Sequence, residues 1–362
     1  MSSLSSIILD LTTDYSELMV SNEIRESIVQ NLYKKDPAFG VNGIHYEGAK
    51  LNNGELELVK SALNCVLDRF KRLGDKDRIN SSLCFVFKDD VSSFAYTDYY
   101  RIDEIEYDLI VIYTGLIKNT MSLSKKIFEN DAVEEWKPDP QKAVSLFSLM
   151  FIIFHETAHR MNGHQGMFRE NLSDDGFKKM IEWDADSFAA TQLTFECLDS
   201  LFFDSRLDEE TFKNLFFSFA ISFMKTNNKK SIDKEIESVE YHTSLHRFVN
   251  CVEVCKEVMI QRCEYNELCE SLLGGSNVKF DRNDRKKIEE KVECLIKKYT
   301  NYVSEKLQSV DFFKNYFCIS NLEEQMLAAY KDHKEAIAKY DQFHDLLKEY
   351  SRFDIAKKSV VD

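Results

Sequence analysis

Proline occurs at only three positions of this 362-residue chain, Pro37, Pro138 and Pro140. Inside a helix a proline removes a backbone hydrogen bond and clashes with the preceding turn, so its absence after residue 140 leaves that length open to long helices. Glycine is also sparse, at eleven, which disfavours an all-β sandwich with its frequent tight turns. Apolar residues recur at helical spacing over 55–73, whereas 81–88 (SSLCFVFK) and 106–113 (EYDLIVIY) are rich in β-branched and aromatic residues and read as strands. The WKPDP stretch at 136–140 stops what precedes it and can open a helix, because proline is tolerated in the first turn. That helix is expected from about 141 to 162, ended by Gly163. A second is expected over 174–200, with Ser173 or Asp174 as N-cap and Phe177, Ile181, Phe188 and Leu193 among its apolar positions. Further helices are expected over 208–225, 244–272 and 282–308, with the polar run TNNKKSIDKE at 226–235 as a joint. The expected division is an N-terminal helical segment over 1–80, a core over 81–225 and a helical C-terminal region over 226–362.

Bulk properties narrow the partners. Sixty-two acidic against 47 basic residues give a formal charge of −15, which repels a phosphate backbone, so nucleic acid is not an expected ligand. The nine cysteines contain no CxxC pair and are odd in number, which fits reduced thiols and a cytoplasmic setting better than a disulfide framework. The first thirty residues lack the basic start of a secretory signal. The longest apolar run, Ala143 to Phe154, spans about 18 Å as a helix against a bilayer core of roughly 30 Å, so no membrane is expected as a partner.

That apolar run leads into His155-Glu156-Thr157-Ala158-His159, an H-E-x-x-H string. Residues four apart share one helical face about 6 Å apart along the axis, so both imidazoles can reach one ion. Glu156, about 100° around the helix, is then the candidate general base and not a ligand. Downstream, Glu182 and Asp186 share a face in EWDADSFAA, and Ala185 and Ala189 permit close helix–helix approach. Glu182 can complete a His₂Glu set that leaves a fourth position open, the arrangement of a catalytic and not a structural zinc. Asp186 can accept the other N–H of a ligating histidine and fix its tautomer. His164 stands one residue short of where H-E-x-x-H-x-x-G-x-x-H places its third histidine, and is expected to line a pocket or face solvent.

HETAH, RMNGH and EWDADSFAATQL together resemble the gluzincin metallopeptidases, closest to the ImmA/IrrE-type and phage-exclusion Lit-type cytosolic peptidases. Ser93-Phe94-Ala95 with 109–117 is also similar to the segment before the active-site helix of HtpX-type endopeptidases. The resemblance covers about residues 83–200. It implies an α+β, mostly α fold, with a small sheet packed on an HExxH helix and an ExDAD helix, followed by the helical C-terminal region. It implies further that strand 107–113 edges the cleft and that an extended protein or peptide substrate pairs with it. Tyr241–Arg247 is loosely similar to a segment that follows the third ligand in such enzymes, without its proline and with the arginine one residue closer. On that likeness His242, and after it His246 or Arg247, is the candidate oxyanion stabiliser.

The resulting expectation is a Zn²⁺-dependent endopeptidase that cuts an intracellular protein, with a stress or phage-defence role implied by the resemblance alone. The alternative left open is a non-catalytic, zinc-containing regulatory or protein-binding module. Phe212, Phe216, Phe219 and Phe223, and the pair Cys251 and Cys255, are expected in the core.

Overall fold

Asp139 caps a helix by accepting the backbone N–H of Gln141 at 2.9 Å, with Pro140 in the first turn, and the helix runs from Pro140 to Met161. In this computed structural model, which describes residues 21–39, 51–72, 83–102, 105–129, 139–164, 175–204, 209–224, 244–265 and 285–311, that helix is the centre of the molecule. Around it, in chain order, are α1 (Asn22–Lys35), α2 (Asn53–Arg72), β1 (Leu83–Lys88), β2 (Ala95–Ile102), β3 (Ile105–Tyr113) and α3 (Thr114–Phe128). The Pro140–Met161 helix is α4, and α5 (Asp175–Asp204), α6 (Glu209–Ser222), α7 (Ser244–Tyr265) and α8 (Arg285–Ser309) follow. The described residues are therefore mostly helical with a small three-stranded sheet, an α+β arrangement dominated by α.

Helix α4 packs against α2, α3, α5 and α6 and touches β2 and β3. Neighbours on several sides explain why its lead-in, AVSLFSLMFIIF, is apolar almost throughout and not in one stripe. Ser145 and Ser148 lie in that run with their hydroxyls donated to carbonyls one turn back, at 2.6 and 2.8 Å. One buried cluster runs from Val59 on α2 through Phe154 and Phe216 to Val303 on α8, and it takes in Cys251 and Cys255.

The sheet order is β1-β3-β2. β1 runs parallel to β3, with Leu83 opposite Asp108 and Lys88 opposite Tyr113, and β2 runs antiparallel, with Ala95 opposite Ile112 and Ile102 opposite Ile105. One face carries Phe85, Phe87, Ile110 and Ile112 into the main cluster. The other carries Cys84, Val86, Leu109 and Val111 against Ile28 and Val29 of α1 and Phe39. Because successive side chains alternate faces, β3 reads as an unbroken apolar run only because both faces are covered.

Two elements, β2 and α3, are absent from the sequence-based expectation, and β2 displaces the expected substrate strand. β3 is paired on both sides, so its main chain has no edge left for an added strand over 107–113. The edges lie on β1 and β2, and of these β2 is the one that touches α4. The start of β2 is fixed by the 89–94 loop, which presses against α3 so tightly that a Cβ on Gly115 would sit 2.3 Å from the Val91 carbonyl. The candidate N-cap at 173–174, the 226–235 joint and His242 lie outside the described residues. Among the described residues no helix is long and apolar enough to cross a membrane.

Candidate metal centre

His155 and His159 emerge one turn apart on α4, with their Nε2 atoms 3.2 Å from each other. Glu182 approaches from α5, its Oε2 3.3 Å from His155 Nε2 and its Oε1 3.6 Å from His159 Nε2. One ligand atom from each residue can be chosen so that all lie within 4.8 Å of one another, so the three can hold a metal ion. Bonds of about 2.1 Å in a tetrahedral arrangement put ligand atoms about 3.4 Å apart; the two imidazole nitrogens are at that spacing, and each meets a different oxygen of Glu182. Glu182 Oε2 is buried and accepts no hydrogen bond, although a buried carboxylate oxygen is costly to leave unsatisfied. A cation at this point would satisfy it.

The groups behind the ligands are also charged. Asp186 Oδ1 lies 2.9 Å from His155 Nδ1, obliquely to the ring N–H, and Arg247 of α7 grips the same carboxylate with two hydrogen bonds of 2.7 Å. Behind His159, the Nδ1 atoms of His159 and His164 are 3.0 Å apart, and His164 Nε2 is 3.0 Å from Asp184 Oδ2. Asn162 Nδ2 donates to that same oxygen at 2.6 Å. Burial of His164 is complete, so it neither faces solvent nor belongs to the ligand cluster. Chain reversal at Gly163, where φ is 81°, turns it back beneath His159.

Electrostatics separates the two ligand histidines. Burial alone would lower the pKa of His155, but the close carboxylates of Asp186 and Glu182 outweigh it and raise it to about 10. For His159 burial dominates and lowers it to about 3, with the neighbouring His155 adding to the effect. The pair thus carries one positive charge between two rings, on the His155 side. Glu182 is drawn down to about 2 against its own burial by the imidazoles of His159 and His155.

Glu156 is also buried, and burial, reinforced by the charge of Glu182, raises its carboxyl to about 7. Thr97 of β2 sets its position: the hydroxyl Oγ1 is 2.7 Å from the Glu156 main-chain oxygen and 3.0 Å from Oε2. On the same sheet face, the buried Asp108 of β3 pairs with Arg160 and ties the sheet to α4.

Neither Thr97 nor Asp184 is singled out by the sequence. No local pattern marks the first, and the middle acid of EWDAD is the available signal for the second. Arg247, one of the oxyanion candidates, is tied to the helix that carries Glu182. Its guanidinium is committed to Asp186, lies over the Phe223 ring at 4.5 Å, and comes no closer than 3.9 Å to Glu182. His246 is buried on α7. Comparison with protein-family models, with curated proteins and with solved structures gives no match.

Proposed function

We propose that the chain is a zinc-dependent endopeptidase of the gluzincin kind, acting on an intracellular protein, with zinc held by His155, His159 and Glu182. The supporting observation is that His155, His159 and Glu182 each bring a ligand atom to within 4.8 Å of the others, beside a buried Glu182 oxygen without a hydrogen bond. A His₂Glu donor set is typical of catalytic zinc and leaves one position for water or substrate. Zinc bound there supplies Lewis acidity, lowering the pKa of a water towards about 7 and polarising the scissile carbonyl.

The chain's own residues do the rest. Glu156 takes a proton from the attacking water and hands it to the leaving amine, the role its buried place beside the ligands suits. Thr97 holds that carboxylate in place. An extended substrate pairs its main chain with the outer edge of β2, where Tyr99 is 39% exposed two residues beyond Thr97. The stress or phage-defence role rests on the sequence resemblance.

Zinc stoichiometry on the purified chain, followed by a cleavage screen in cell lysate beside Glu156→Gln, tests the reading. Expected are one zinc per chain in both proteins and cleavage only in the wild type. Lack of stoichiometric zinc, or cleavage that persists in Glu156→Gln, overturns it; zinc without any cleavage favours a non-catalytic zinc module.

A further inference from the structure

We propose that His164 is a positioning residue which, through Asp184, sets the tautomer of His159 so that its Nε2 presents a lone pair to the metal. The inference rests on the zinc reading and concerns a residue that is not a ligand.

The order of hydrogen-bond donors and acceptors carries it. Asp184 Oδ2 accepts the Asn162 amide, and as the acceptor also of its 3.0 Å contact with His164 Nε2 it places the proton on that nitrogen. With that N–H on Nε2, His164 Nδ1 is the acceptor of the pair. Its partner at 3.0 Å, His159 Nδ1, must donate, which leaves His159 Nε2 unprotonated and turned towards His155 and Glu182. Direction along the chain His159–His164–Asp184 is thus fixed from its far end. The amide of Asn162 donates to the same Asp184 oxygen and holds that end still.

Geometry adds a second support. His164 and Asp184 are both buried, so the relay is shielded from competing water, and the left-handed turn at Gly163 aims the ring back at His159. His155, the other ligand, is backed by Asp186 at an oblique angle. The two imidazoles therefore rely on different supports, and one can be perturbed without the other. Groups that orient ligating histidines typically contribute 10- to 100-fold in metal affinity.

The experiment uses the full chain with ¹⁵N-labelled histidine, free of metal, and reads imidazole tautomers by long-range ¹H–¹⁵N correlation, with zinc affinity then measured by chelator competition. Opposite tautomers are expected in the wild type, Nδ1–H at His159 and Nε2–H at His164; the same tautomer at both overturns the proposal. In His164→Leu the Nδ1–H preference of His159 should be lost, the His155 signals should stay, and the zinc Kd should rise 10- to 100-fold. His164→Gln, whose amide can accept from His159 and donate to Asp184, should hold the Kd within about threefold of wild type. Zinc binding by His164→Leu within twofold of wild type, with His159 unchanged, defeats the relay while leaving the zinc reading intact. A wild type that binds no zinc defeats that reading, and the tautomers of the metal-free chain still decide the relay. Should His164→Leu fail to fold, His164→Gln and the wild-type tautomers decide between relay and no relay.

Discussion

Arg247 and Asp186 meet as a two-pronged ion pair, Nε to Oδ2 and Nη2 to Oδ1, each at 2.7 Å. Asp186 Oδ1 is also the oxygen nearest His155 Nδ1. Helix α7 therefore reaches the candidate metal centre through a pair whose members lie 61 residues apart in the chain. The contact is reinforced by packing: Arg247 lies over Phe223, Phe223 meets Phe151 edge-on at 5.5 Å, and Phe151 lies against the His155 ring at 6.5 Å.

Breaking this pair should affect folding and metal binding together. Arg247→Ala leaves a fully buried carboxylate without its partner and should cost about 3 kcal/mol in unfolding free energy of the metal-free protein. Arg247→Lys keeps the charge but loses the planar fork, and the zinc Kd should rise about tenfold. Denaturant unfolding and chelator competition read the two effects. An alanine variant as stable as wild type would show that the pair does not secure the centre.

Thr97→Val removes one hydroxyl at constant shape. Glu156 then loses the contact that orients its carboxylate. Cleavage should fall by roughly tenfold to a hundredfold in kcat, the low end of what positioned acid–base groups contribute. KM and zinc content should hold, because neither the β2 main chain nor the ligands change. A drop in zinc content instead of kcat would assign Thr97 to the integrity of the fold.

The parts of this architecture that are legible in the sequence are those written in local chemistry. Pro140, an apolar run and Gly163 bracket α4, and the observed helix ends within a residue or so of that reading. Glu182 is legible as a ligand candidate because it stands in an acid-rich helix with small residues that let α5 approach α4. β2 is not legible: AYTDYYRI interleaves aromatic and polar residues on both faces, and only Ala95 is buried, so its strand character comes from pairing with β3. Thr97 acts on a residue 59 positions away, a relation that no spacing rule encodes. His164 escapes a sequence reading for the same reason, since its partner Asp184 is brought beneath it by the packing of α5 on α4.

Metal uptake should release protons, with a sign fixed by the two histidines. His155, raised to about 10, carries a proton at pH 7 that must leave before Nε2 can bind zinc, whereas His159, lowered to about 3, is already neutral. Calorimetry in two buffers of different protonation enthalpy should therefore show about one proton released per zinc from His155, with a further fraction from Glu156 near its pKa of about 7. The same shift acts on stability. In the metal-free protein the folded pKa of His155 lies above its ordinary 6.5, so its stabilising contribution is complete below about pH 6.5 and fades as pH rises towards about 10. Zinc uptake without proton release at pH 7 would contradict the charge assignment.

Gly163 sits at φ 81°, in the left-handed region where a Cβ crowds the following carbonyl. It is the C-terminal stop of α4, placed just after Asn162, whose N–H closes the last turn on the Ala158 carbonyl at 2.8 Å. It also decides where His164 goes. Gly163→Ala should cost about 1 kcal/mol in stability, and Gly163→Asn less, because asparagine enters this region more readily. Any relaxation of the turn towards negative φ swings His164 away from His159, so zinc affinity should fall in the same order, with alanine weaker than asparagine and asparagine weaker than glycine. Equal stability and equal zinc affinity in all three would mean that the backbone at 163 is not what holds the relay in place.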